Sequence, residues 1–122
     1  MRLAEIVALL GSTELLTPGS DGAREVAGCF AADLMSEVLA FCDHGALLVT
    51  GLTNVQSVHT AEVVDAHAVL YVNGKKPDES VLALARSRGL PLLSTTLTMY
   101  EACGCLRMGG LAASTKKHGA VP

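Results

Sequence analysis

Two cysteines separated by one glycine, Cys103-Gly104-Cys105, are the sharpest chemical signal in this chain. Closely spaced cysteines hold zinc and iron–sulfur centres, because thiolates are soft, charged ligands. The setting argues against that use. The flanking pattern is helical, and at about 100° per residue two positions two apart point to nearly opposite faces. Cys103 then belongs to the buried stripe and Cys105 faces away, so no metal is expected unless the helix breaks at Gly104. Cys29 and Cys42 show no partnering spacing. With no secretion signal in view, all four thiols are expected to be reduced.

An acid–base pair is the next candidate. His59 and Glu62 stand three apart on one helical stretch, with Asp65 and His67 just beyond, and such a pair can move protons. The same stretch alternates these groups with Val55, Val58 and Ala61, which is the ordinary make-up of a solvated helix. No Ser or Cys occupies a nucleophile-elbow context. Neither a Gly-x-x-x-x-Gly-Lys-Ser/Thr loop nor a dinucleotide fingerprint occurs. The chain is therefore expected not to be an enzyme, with no catalytic residues and no cofactor.

The polar groups cluster instead in three short loops. These are Thr50-Gly51-Leu52-Thr53-Asn54, Asn73-Gly74-Lys75-Lys76, and Ser94-Thr95-Thr96-Leu97-Thr98. Each follows an apolar run with the look of a buried strand, and ligands in parallel α/β sheets collect beyond the carboxyl ends of strands. The first and third loops lead into helix N-termini, whose free amides and dipole favour an anion. The middle loop brings two ammonium groups. Thr50, Gly51, Thr53, Asn54, Asn73, Gly74, Lys75, Lys76, Thr95 and Thr96 form the candidate ligand-binding set. Ordinary helix capping explains part of the same composition.

The elements that must position these loops are legible from periodicity. Leu3, Ile6, Val7 and Leu10 have helical spacing, stopped by Gly11. Glu14–Leu16 is a short strand closed by the turn cluster 17–22, and Glu25–Phe30 is a second short strand. Asp33 is expected to cap a helix with Leu34, Val38 and Phe41 on one face and Met35, Leu39 and Cys42 beside it. Ala46–Thr50, Ala68–Val72 and Leu90–Ser94 read as strands buried on both faces. Helices follow each: one capped at Thr53 or Asn54 and running to about Ala66, one capped at Asp78 with Val81, Leu84 and Ala85 inward, and one opened by the capping-box spacing of Thr98 to Glu101. In the last, Met99, Ala102, Cys103 and Leu106 face inward, and Gly109-Gly110 ends it. The expected fold is α/β, a three-layer sandwich with a largely parallel central sheet flanked by helices. The early strands are expected as antiparallel edges.

Composition narrows the partners. The 122 residues suit one domain, here 1–111, followed by a flexible C-terminal tail over 112–122. With two Phe, two Tyr and no Trp, the chain has little with which to stack on bases. A net charge of −3 is the wrong sign for a general phosphate-backbone binder, and Lys116-Lys117-His118 is too short a run to change that. No nucleic acid is expected. No run approaches the roughly 20 apolar residues of a membrane span, and Ile6–Leu10, preceded by Glu5, is too short for a signal-peptide core. No membrane association and a cytoplasmic location are expected. Few charges and a mean hydropathy of +0.42 point to an apolar patch covered in a homodimer.

Several segments together resemble the DRTGG domain, over about Leu3 to Leu111. They are Leu48-Val49-Thr50-Gly51, Val69–Val72 followed by Asn73-Gly74-Lys75-Lys76-Pro77, Gly89-Leu90-Pro91-Leu92-Leu93, and Thr98-Met99-Tyr100-Glu101-Ala102-Cys103-Gly104. The eponymous residues are mostly replaced: the Asp-Arg pair falls near Thr53-Asn54, and Thr-Gly-Gly falls on Val72-Asn73-Gly74. Similar domains precede the kinase core of HPr kinase/phosphorylase, accompany CBS domains in regulated pyrophosphatases, and occur in some phosphate acetyltransferases. The resemblance implies a stand-alone regulatory or scaffold domain that binds a partner protein or a small anionic ligand such as an adenine nucleotide. An accessory protein of a redox or iron–sulfur (hydrogenase-type) enzyme, using Cys103 or Cys105, is the alternative. A small enzyme built on His59 and Glu62 is a third reading.

Overall fold

Five strands of three to five residues and five helices of seven to ten make up the described fold. In chain order they are α1 (Leu3–Leu10), β1 (Thr13–Leu15), β2 (Gly28–Ala31), α2 (Met35–Phe41), β3 (Ala46–Thr50), α3 (Val55–Val63), β4 (Ala68–Tyr71), α4 (Glu79–Ser87), β5 (Leu92–Thr95) and α5 (Met99–Met108). The structure is a computed structural model and describes residues 1–17 and 22–116. Most of the turn cluster expected over 17–22 therefore lies outside the described residues.

The strands form one sheet in the order β1-β5-β4-β3-β2. β2, β3, β4 and β5 are mutually parallel, and β1 runs antiparallel to β5 with Glu14 opposite Ser94. Only one of the two early strands is thus an antiparallel edge; β2 joins the parallel set through a crossover carried by α2. The central strands β3, β4 and β5 are buried at every position, because helices cover both faces. One layer packs Met35, Val38, Val58, Ala61, Val81 and Ala85 against Leu48, Val69 and Leu92. The other packs Leu3, Ile6, Ala102 and Leu106 against Leu47, Val49, Leu70 and Leu93. The result is a three-layer α/β sandwich with α2, α3 and α4 on one side and α1 and α5 on the other.

Local chemistry fixes the element ends. Asn54 caps α3 by accepting from Ser57 N, Asp78 caps α4 by accepting from Val81 N, and Thr98 with Glu101 completes a capping box on α5. Asp33 does not cap α2. The N-cap position is Leu34 and carries no side-chain cap, since the Asp33 carboxylate is turned to β3 instead. The buried stripe of α2 is Met35, Val38 and Cys42, while Leu34, Leu39 and Phe41 are left exposed at 60%, 44% and 40%. That corrects the expected face by one position. α3 ends at Val63, with Asp65 in a left-handed conformation at φ 56°.

The segment following Leu111 is not loose over its described part. Cys29 N donates to Ala112 O, Ser114 N to Cys29 O, Asp43 N to Ser114 O and Lys116 N to Phe41 O, at 2.7–3.0 Å. Residues 112–116 thereby run beside β2 and cover the sheet edge that β2 would otherwise expose. A Cβ on Gly28 would lie 2.8 Å from Ala112 O and 2.9 Å from Ser114 Cβ. Glycine is what permits this approach.

Candidate functional site

Because β3, β4 and β5 are parallel and adjacent, the three polar loops leave the same edge of the sheet. Their backbones are tied to one another. Asn73 N donates to Leu97 O and Gly74 N to Thr95 O, both at 2.8 Å. Asn73 and Gly74 are both left-handed, at φ 63° and 69°, a pair of conformations that Asn and Gly tolerate best. This turn delivers Lys75 and Lys76 to the edge. Ser94 Oγ holds Lys75 O at 3.0 Å, and the next loop is pinned to the start of β1 through Thr95 Oγ1 and Thr96 N on Ser12 O.

A residue that periodicity assigned to capping organises the first loop. Asp33 Oδ1 accepts from Gly51 N at 2.7 Å and from the fully buried hydroxyl of Thr50 at 3.1 Å. Thr50 Oγ1 in turn accepts from Leu52 N at 3.1 Å. Lys75 Nζ approaches Gly51 O at 3.4 Å. A Cβ on Gly51 would lie 3.5 Å from Asp33 Oδ1 and 3.6 Å from Lys75 Nζ. A carboxylate and an ammonium thus flank the bare backbone of Gly51.

Among the described residues, five of the ten candidates divide between two cavities, and Lys76 borders both. Thr53 and Asn54 border a cavity of about 470 Å3 together with Val55, Lys76, Asp78, Ser80 and Val81. Gly74, Thr95 and Thr96 border another of about 230 Å3 with Ser12, Thr13, Glu14, Lys76 and Ser94. Lys76 belongs to both and pairs with Glu14. Thr50 is sealed beneath Asp33, Asn73 is exposed on the turn, and Gly51 with Lys75 lies on the rim next to Asp33. Many of the amides counted on for an anion are already satisfied: Gly51 N by Asp33, Leu52 N by Thr50, Ser57 N by Asn54, Leu97 N by Thr95 and Glu101 N by Thr98. Lys75 and Lys76 bring the ammonium groups to this edge, among the carboxylates of Asp33, Glu14 and Asp78. The Asp78 carboxylate is held below its usual range, chiefly by the Ser80 hydroxyl and then by Val81 N.

The other chemical candidates fall elsewhere. Glu62 lies at the opposite edge, where its carboxylate meets Arg88 Nε at 3.6 Å beside Arg24, Asp65 and Leu90. His67 Nδ1 is 2.8 Å from Glu25 O. His59 is exposed on α3. Cys105 does not face open solvent: both Cys103 and Cys105 are half-buried against the α1/α5 layer. The helix is gripped from two sides. Gly109, one turn beyond Cys105, would drive a Cβ into Leu9 of α1, while Cys103 packs against the same core layer as Cys29 of β2. Among the described residues no three His, Cys, Asp or Glu side chains converge on a point that could hold a metal ion.

The fold defines a class, a parallel α/β sandwich with its polar loops gathered beyond the strand carboxyl ends. Among solved structures, the chain is similar to the CBS and DRTGG domains of the regulatory region of Clostridium perfringens pyrophosphatase, crystallised with the activator diadenosine tetraphosphate. The TM-score is 0.73 at 14% identity, over 98% of this chain and 52% of that one. The fold is therefore DRTGG-like, and the chain spans about half the length of that structure. No protein-family profile matches the sequence, and no curated protein does. No helix among the described residues is long and apolar enough to cross a membrane.

Proposed function

We propose that this chain is a non-catalytic regulatory module of the DRTGG type that binds a small anionic ligand, an adenine nucleotide being the first choice, at the carboxyl edge of its sheet. One observation carries the reading. Lys76 stands where two cavities meet, and Lys75 reaches Gly51 O beside the Asp33 carboxylate, on a fold shared with a regulatory region crystallised with a dinucleotide activator. Two ammonium groups on a pinned turn supply charge-assisted contacts to a phosphate. Asp33 beside Lys75 adds an acceptor for an amino group, which suits a base carrying an exocyclic amine better than phosphate alone.

The exposed Leu34, Leu39 and Phe41 of α2 support a homodimer as the working assembly. Light scattering at tens of micromolar, a roughly chosen range for weak two-fold contacts, is expected to give twice the chain mass. Four free thiols fit a reducing, cytoplasmic location. Calorimetric titration with adenine nucleotides, inorganic phosphate and pyrophosphate tests the ligand directly. Saturable heat with a nucleotide is expected, and silence across the panel removes the small-ligand reading.

A further inference from the structure

The sheet edge opposite Lys75 and Lys76 carries a cavity of about 240 Å3. It lies before the starts of β4 and β5, where α3 and α4 end, and Arg24 borders it from the segment leading to β2. That volume exceeds the roughly 150 Å3 that holds a benzene and falls short of the roughly 300 Å3 at which drug-sized ligands begin. A small metabolite is the right size.

Backbone hydrogen bonds hold the walls. Arg24 O accepts from Leu3 N at 2.9 Å, Asp65 O accepts from Gly45 N at 2.8 Å, and Leu90 N donates to Ala85 O at 2.9 Å. Two guanidinium groups, of Arg24 and Arg88, and two carboxylates, of Glu62 and Asp65, border the space. One pair is already made, between Arg88 Nε and Glu62 at 3.6 Å. The other two groups are open. Among the described residues neither Arg24 nor Asp65 enters an ion pair, and Arg24 Nε is buried with no hydrogen-bond partner. A guanidinium so placed has given up water at one donor without replacing it, and buried donors are ordinarily satisfied.

The balance of charge selects the ligand. A bare anion suits Arg24, but it would also meet two carboxylates and the C-terminal ends of α3 and α4, whose dipoles favour a cation. A bare cation suits Asp65 and leaves Arg24 unanswered. We propose that this cavity binds a small zwitterion, a free α-amino acid, with its carboxylate on Arg24 and its ammonium on Asp65. Ala66 and Leu90, both buried, form the apolar part of the lining, which suits a short aliphatic side chain. The site is separate from the strand-end edge and does not depend on the nucleotide reading.

Calorimetric titration of the whole chain with L-alanine, L-valine and L-leucine is expected to give saturable heat for at least one of them. The methyl ester of that amino acid lacks the carboxylate, and its N-acetyl derivative lacks the ammonium. Each should bind wild type about tenfold more weakly or worse, through loss of one charge-assisted contact. Arg24→Gln should weaken the free amino acid to the same degree. So should Asp65→Asn, since Asn tolerates the left-handed backbone at φ 56°. The Lys75→Ala/Lys76→Ala variant should bind the amino acid as wild type does, which separates this site from nucleotide binding. No saturable heat with any of the three, an N-acetyl derivative or ester bound as tightly as the free amino acid, or unchanged affinity in folded Arg24→Gln would each overturn the proposal.

Discussion

Replacing Gly28 with alanine tests how firmly the segment after α5 belongs to the fold. The added methyl would lie 2.8 Å from Ala112 O and 3.1 Å from Ala113 C, atoms of backbone that cannot rotate away. Either β2 moves, against its register with Ala46, or residues 112–116 lift. Lifting them forfeits four backbone hydrogen bonds, about 1 kcal/mol each in net terms. Keeping the segment seated instead imposes an overpacking cost of about 1–3 kcal/mol, the smaller of the two losses. For 122 residues, an unfolding entropy of about 2.1 cal/mol/K per residue makes 1 kcal/mol worth about 4 °C. The variant should therefore melt about 4–12 °C below wild type by circular dichroism. Amide exchange at Cys29 and Ser114 should rise together. A variant that melts within 1 °C of wild type (a threshold well under roughly 0.5 kcal/mol) with unchanged exchange at both sites would refute the argument that this segment is packed against β2.

Two further substitutions separate capping from binding. Asn54→Ala removes the side chain that accepts from Ser57 N and should cost about 1 kcal/mol in urea unfolding; Thr53→Ala, which removes no cap, should cost under about 0.5 kcal/mol. Asp33→Ala leaves Gly51 N and the buried Thr50 hydroxyl without their acceptor and is expected to lose about 1–2 kcal/mol. Asp33→Asn, which keeps one acceptor oxygen, should lose less than half of that, and equal losses for the two variants would count against the hydrogen-bond account.

Much of this architecture is visible in the sequence because period and punctuation agree. Ala46–Thr50 is apolar at four of five positions and ends at a glycine, and it is a strand over those same residues. The Thr98 to Glu101 spacing is a capping box in sequence and in structure. Asp33 shows where such reading stops. An acidic residue two positions before a helix has the composition of a cap, but its carboxylate serves a loop 17 positions on. Periodicity is local, whereas that bond depends on β2 lying parallel to β3. α2 misled for a subtler reason: Leu34 and Phe41 fit an apolar stripe, but the sheet meets the helix one position round, at Met35 and Cys42. The candidate loops converge because the parallel order is right, and they divide between two cavities because Lys76 turns back to Glu14.

The central claim is that Lys75 and Lys76 make the strand-end edge a binding site for a nucleotide anion. Calorimetric titration of wild type and of a Lys75→Ala/Lys76→Ala variant with the same adenine-nucleotide panel measures this most directly. Each exposed ammonium stands to supply up to about 1.5–3 kcal/mol once a ligand excludes water. The account predicts saturable binding to wild type, weakened at least several-fold in the variant, with the melting temperatures of the unliganded proteins nearly equal. Equal affinity in the two proteins, or no heat from any nucleotide with wild type, would contradict it.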